Sequence, residues 1–207
     1  IYGNKGLMTG LVILAVLSLI ALFGPIFTES PTSINPMIRI KPPGADMWFG
    51  TDPLGRDIFA RSVWGGRISL SVGVAVAVIA VGFGLVLGLL AGYIRILDAI
   101  IMRVMDGLMA IPGILLAIAL ISLTGATLFT VIVAITIPEI PRVVRLVRSV
   151  VLTVREEAYV EAAIAAGTKL PSIMIRHILP NTIAPLIVQA TYVCASAMLT
   201  ESILGFL

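Results

Sequence analysis

Long apolar runs alternate with shorter polar segments along this chain. A bilayer core about 30 Å thick is crossed by about 20 apolar residues in helix, and Leu7 to Phe27 supplies a first run of that kind. Ser69 to Ile94 supplies a second, and Gly107 to Thr124 a third, interrupted by Pro112-Gly113 where a kink is expected. A shorter fourth, 126–141, is closed by Pro138 and Pro141, and Thr182 to Leu204 makes a fifth. The pattern predicts an all-α polytopic membrane helix bundle with spans at 7–27, 69–94, 107–124, 126–141 and 182–204. Segment 28–68 carries Pro31, Pro36 and Pro42-Pro43, too closely spaced to continue a helix. Within it, Asp52-Pro53 reads as the N-cap and first position of a short amphipathic helix with Leu54, Ile58, Phe59, Val63 and Trp64 on one face.

Composition agrees with a membrane protein: 59% hydrophobic residues, 12% charged and a mean hydropathy of +1.12, where soluble proteins have about a quarter of their residues charged. The chain therefore reads as one transmembrane domain, 1–207, whose surface is covered by lipid or partner subunits. The formal charge of +3 does not point to nucleic acid, because the basic residues flank apolar runs instead of forming a patch. They report topology. Lys5, Arg95, Arg103, Arg142, Arg145, Arg148, Arg155, Lys169 and Arg176 fall on one side of a five-span arrangement, and Arg39, Lys41, Arg56, Arg61 and Arg67 on the other. This places loop 142–181 and the N-terminus in the cytoplasm and loop 28–68 outside. The first run reads as a span and not as a cleaved signal. Cys194, the one cysteine, sits in an apolar run and reads as a small buried side chain. The start at Ile1 and the stop at Gly205-Phe206-Leu207 suggest that residues are missing at both ends.

The polar island 142–181 has legible helix ends. Thr153 with Glu156 three residues later forms a capping-box pattern, and Gly167 suits a left-handed residue past a C-terminus. Val154 to Ala166 would be a rod of roughly 20 Å. Ala158, Ala162, Ala165 and Ala166 give it a bare strip open to close approach, and Glu157 and Glu161 form a second strip at i, i+4, where like charges repel. Elsewhere, Arg95 with Asp98, Arg103 with Asp106, and Asp57 with Arg61 stand at ion-pairing spacings. Glu139 can pair with Arg142 or a neighbouring subunit, and Gly84 and Gly88 mark a helix contact.

Glu161-Ala162-Ala163, three residues, Gly167, then His177-Ile178-Leu179-Pro180-Asn181 resembles the EAA loop of the permease subunits of ABC importers, the binding-protein-dependent inner-membrane component family. The His-x-Leu-Pro-Asn ending is similar to its peptide and nickel branch. Gly50-Thr51-Asp52-Pro53-Leu54-Gly55-Arg56-Asp57 with Arg61, Gly66-Arg67 and Ser69-Leu70 resembles the signature before the second span in the C-type subunits of that branch. Arg103-Val104-Met105-Asp106 with Ile111-Pro112 is similar again. The resemblance implies a bacterial plasma (inner) membrane protein with five of an expected six spans and a cytoplasmic coupling helix between spans four and five. It implies a homologous second permease, two cytoplasmic ATPase subunits or domains that carry ATP and Mg, and an extracytoplasmic binding protein. The implied cargo is a di- or oligopeptide, with nickel as the alternative, and Glu157, Glu161, Ala162, Ala163 and Gly167 are the implied ATPase-coupling residues.

No catalytic constellation is visible, and no enzyme activity, resident cofactor or metal site is expected of this chain. His177 lacks a second ligand at metal spacing and is expected to support the turn into the fifth span, and no Gly-x-x-x-x-Gly-Lys phosphate loop is present. Two carboxylates are candidates for a translocation path. Asp106 reads as an ion-paired anchor in preference to a path residue. Glu201 could line a path, pair with a partner permease or lie near the outer surface. A gradient-driven secondary transporter is the rival class, disfavoured because few charges lie deep in the spans and none forms a relay.

Overall fold

The computed structural model describes residues 5–205; the chain ends, Ile1 to Asn4 and Phe206-Leu207, fall outside them. Apart from one isolated bridge, Thr51 with Asp57, the regular structure is helical. The helices are α1 (Lys5–Phe27), α2 (Ile58–Tyr93), α3 (Arg95–Met109), α4 (Gly113–Thr124), α5 (Leu128–Val154), α6 (Ala158–Ala165), α7 (Leu170–Ile173) and α8 (Leu179–Leu204). Among the described residues, three helices are long and apolar enough to cross a membrane: α1, α2 and the continuous helix Leu170–Leu204 that includes α7 and α8. The α3–α4 pair, bent by 83° at its break, makes a fourth if its halves count as one span. The predicted fourth span lies within α5, where every 18-residue stretch holds at least three of Glu139, Arg142, Arg145 and Arg148. The chain divides into two compact units, Ile1–Ser71 and Val72–Leu207.

In the first unit, the connection after α1 folds around Asp52. This carboxylate is buried and accepts from the backbone N–H of Leu54 and Arg56, from Arg56 Nε at 2.7 Å and from Arg61 Nη1 at 2.6 Å. Backbone and guanidinium donors from Arg56 hold its pKa well below the ordinary carboxylate value of 3.8, against the opposing effect of burial. Two sequence expectations are corrected here. Asp52 does not cap a helix: its lone pairs close the Gly50–Asp57 loop, and α2 begins at Ile58 with Asp57 Oδ1 accepting from Phe59 N–H at 2.9 Å. Asp57 and Arg61 do not pair either, because Asp57 is used at that helix start and Arg61 turns to the more buried Asp52. Gly55 is required where it stands: its φ is +75° and a Cβ there would lie 1.8 Å from the carbonyl oxygen of Asn35.

In the second unit, α2 and α5 run in the same direction in close contact. A Cβ added at Gly84, Gly88 or Gly92 would stand 2.4, 2.6 or 2.6 Å from the Cβ of Val143, Val147 or Val151. Where lipid is as apolar as the side chains, such close backbone approach is what holds helices together. The glycine pattern seen in the sequence thus faces α5, and Gly73 faces Cys194 and Met198 of α8. Val143, Val147, Val151, Val160, Ile173, Ile178 and Val193 are all fully or almost fully buried in one cluster.

Candidate functional site

The candidate site is the segment that leaves α5 and returns into α8. The expected rod from Val154 to Ala166 is two pieces. Thr153 remains inside α5, where its hydroxyl donates to Ser149 O at 3.1 Å, so the Thr153–Glu156 capping box does not form. A turn over Arg155, Glu156 and Glu157 follows, and α6 starts at Ala158 with Glu157 as N-cap. The cause is burial: Val151 and Val154 at the end of α5 and Val160 in α6 all enter the core, which one straight helix could not arrange.

The C-terminal end of α6 is as expected. Thr168 N–H donates to Ala163 O at 3.1 Å and Gly167 N–H to Ile164 O at 2.9 Å, with Gly167 at φ +76°. This pair of reversed hydrogen bonds around a left-handed glycine ends the helix abruptly. Among the described residues, nothing beyond its chain neighbours lies within 4 Å of where a Gly167 Cβ would be, so its backbone conformation alone demands glycine.

Outward, α6 presents Ala158, Glu161, Ala162, Ala165 and Ala166 to solvent, with Glu157 beside them and Ala163 half-buried. Neither Glu157 nor Glu161 has an ion-pair partner among the described residues. Their repulsion is offset in part by their place at the positive start of α6. Inward, Val160 is fully buried and Tyr159 Oη accepts from Asn181 Nδ2 at 3.1 Å; the same amide also donates to His177 O at 2.6 Å. The small helix is therefore bolted to the start of α8.

His177 does not stand in a turn. Residues Met174–Ile178 form a π-widened stretch in one continuous helix, and Leu179 N–H reaches back to Met174 O. Pro180 has no N–H to offer the carbonyl of Arg176, so the ladder shifts there by one residue. The His177 ring lies 6.1 Å from that of Tyr159.

Ion pairs connect α5 with α3 and not, as expected, neighbours along α3. Arg148 clasps Asp98 with Nε at 2.5 Å and Nη2 at 2.7 Å, and Arg145 Nη2 reaches Asp106 at 2.6 Å. Arg95 and Arg103 are left out because α5 sets its own guanidiniums against the carboxylate face of α3. Beyond the end of α5, Arg155 Nη1 donates to Gly92 O at 3.4 Å. The segment that leads into α6 is thus tied to α3 and to the end of α2.

The two path candidates are not brought together. Asp106 is an exposed partner of Arg145. Glu201 lines a separate cavity of about 250 Å³ with Thr127, Val131 and Leu204. Glu139, not singled out as a site residue, is only 6% exposed; it accepts from Arg142 Nη1 at 3.1 Å and from Ser196 Oγ at 3.2 Å. A carboxylate between two prolines inside an apolar run was the available signal.

Residues 84–207 match the family model for binding-protein-dependent transport system inner membrane components, and residues 2–43 match the N-terminal transmembrane domain of oligopeptide transport permease C. The chain belongs to the binding-protein-dependent transport system inner-membrane component family, and is a multi-pass inner-membrane permease and not itself an enzyme. It is 56% identical to a probable peptide ABC transporter permease of Sinorhizobium fredii, over 94% of this chain and 67% of that protein. It is 47% identical to a dipeptide transport system permease of Alkalihalophilus pseudofirmus, over 99% of this chain and 68% of the relative. An oligopeptide transport system permease of Bacillus subtilis is 38% identical over 99% of the chain and 68% of its own length. With this membership the gradient-driven alternative falls away.

Proposed function

We propose that this chain is one permease of an ATP-driven peptide importer, working with a homologous second permease, two cytoplasmic ATPase subunits and an extracytoplasmic binding protein. ATP and Mg are held by the ATPases. The observation that carries the coupling role is α6 itself: a short helix with a bare alanine and glutamate face outward and a buried valine inward, tied to α8 through Tyr159 and Asn181. Glu161, Ala162 and Ala163 meet the ATPase, Glu157 adds charge beside them, and Gly167 ends the handle. Thrust on α6 passes into α5, then through Arg145 and Arg148 into α3. The break before Gly113 then lets α4 change its angle.

Peptide cargo is supported by the relatives, whose names specify peptides, dipeptides or oligopeptides. Uptake of labelled di- and oligopeptides and of nickel, by cells with and without the chain and with each cargo competing against the other, is the test. Chain-dependent peptide uptake that nickel does not compete is the expected result. Nickel uptake without peptide uptake would reverse the cargo assignment.

A further inference from the structure

The α5 arginines hold their carboxylates in different ways. Arg148 uses two nitrogens on two oxygens of Asp98, at 2.5 and 2.7 Å. Arg142 offers Glu139 one nitrogen only, shared between Oε1 at 3.1 Å and Oε2 at 3.3 Å. Charge-assisted pairs ordinarily close to about 2.7–2.9 Å, so the Arg142 contact is loose. Its side chain is 45% exposed while that of Glu139 is 9% exposed. The arginine can therefore give way to another cation, whereas the carboxylate is fixed in place and needs one.

Beside this pair lies a cavity of about 140 Å³, lined by Glu139, Arg142, Ser196, Thr200, Gly113 and Pro138. Among the described residues, Glu139 Oε2 accepts nothing except the long Arg142 contact. Thr200 spends its proton on Ser196 O at 2.9 Å and keeps its lone pairs, as does Ser196 Oγ while donating to Glu139. Once Arg142 withdraws, the polar wall of the cavity is a set of acceptors around a single negative charge, facing an apolar wall that includes Ile114 and Ile135. A primary ammonium, with three donors, no acceptor and one positive charge, complements that set. A divalent cation does not, because one carboxylate leaves half its charge unmatched. The volume suits the amino end of a peptide and not a whole dipeptide.

We infer that Glu139, Ser196 and Thr200 form a subsite for the terminal ammonium of the transported peptide, and that Arg142 is a tethered stand-in that occupies Glu139 when the subsite is empty. The inference rests on the peptide-importer reading. It adds a position on α5 and α8, next to the α3–α4 break, at which cargo is sensed. Entry of the ammonium frees Arg142 and alters the contact at Gly113, where a Cβ would stand 3.0 Å from Pro138.

The test uses the complete transporter in nanodiscs without binding protein. The probe is a dipeptide with a fluorophore on its C-terminal amide, with its amine either free or acetylated, and binding is read by polarisation. Wild type is expected to prefer the free amine by about tenfold or more, and Glu139→Gln to bring the two probes within about twofold. Arg142→Ala removes the internal competitor and is expected to tighten the free-amine probe by about threefold to tenfold, a gain that loss of a structural contact would not produce. If Glu139→Gln does not assemble, Ser196→Ala and Thr200→Val decide, each lowering the preference by about threefold. No binding of the free-amine probe, equal binding of both probes by wild type, or an unaltered preference in the variants that assemble overturns the inference. Peptide uptake by cells with no amine preference in nanodiscs would keep the importer and discard the subsite, whereas absence of peptide uptake would remove the cargo assignment first.

Discussion

Gly167 carries a backbone demand and little else. At φ +76° with open space around it, a β-branched replacement meets no neighbour but pays about 1–2 kcal/mol for a left-handed conformation. Gly167→Val is therefore expected to fray the end of α6, lowering uptake severalfold while membrane insertion and protein level stay normal; Gly167→Asn, which tolerates this region, should retain most uptake. Normal uptake by the valine variant would remove the sharp helix end from the coupling mechanism. Asp52 makes a different demand at the same scale. Its acidity is raised in the folded loop, so the stability it confers is complete above its unfolded value of about 3.8 and is lost as pH falls below that toward the folded value. Hydrogen-exchange protection of residues 38–57, corrected for the intrinsic pH dependence of amide exchange, should stay flat from pH 7 to about 5 and fall only in stronger acid, and Asp52→Asn should lower it throughout. A midpoint near neutrality would contradict the assignment to Asp52.

At the scale of elements, the seams of α5 do the holding. Its valines at 143, 147 and 151 rest on glycines 84, 88 and 92, and its arginines at 145 and 148 grip α3. Gly88→Leu forces side-chain atoms into Val147 and the carbonyl of Val144, an overpacking worth about 1–3 kcal/mol. The detergent-solubilised complex should unfold at a lower temperature, and an unchanged melting point would show that α2 and α5 do not meet there. The Arg148–Asp98 clasp predicts a rescue: Arg148→Asp and Asp98→Arg should each reduce coupled ATP hydrolysis and transport, and the double exchange should recover a substantial part. Failure of the exchange to recover either activity would mean that these positions act separately.

For the whole molecule, the second unit sets two regions along one stretch of chain: the outward face of α6, just past the C-terminal end of α5, and the cavity around Glu139 further back along α5. Cysteines introduced singly at Glu161, Ala162 and Ala165 should cross-link to the partner ATPase, while cysteines at the inward Val160 should not. Capture at Val160 and not at the outer positions would turn α6 over.

The apolar runs, the helical class and the sharp end at Gly167 were legible because they depend on neighbours close along the chain: a long apolar segment must be helical in lipid, and a glycine past a helix is read from local sterics. The exposed alanine and glutamate face of α6 was legible for the same reason, as residues three and four apart share a side of a helix. Partner choice was not legible. Asp98 takes Arg148 and not Arg95, Arg61 leaves Asp57 for Asp52, and Thr153 stays inside a helix that it looked fit to begin, each because packing from a distant segment offered a better or more buried partner. Tertiary structure alone drew Glu139 together with Ser196, Thr200 and the α4 start, since a carboxylate's surroundings depend on which helices lie against it and local spacing does not encode that.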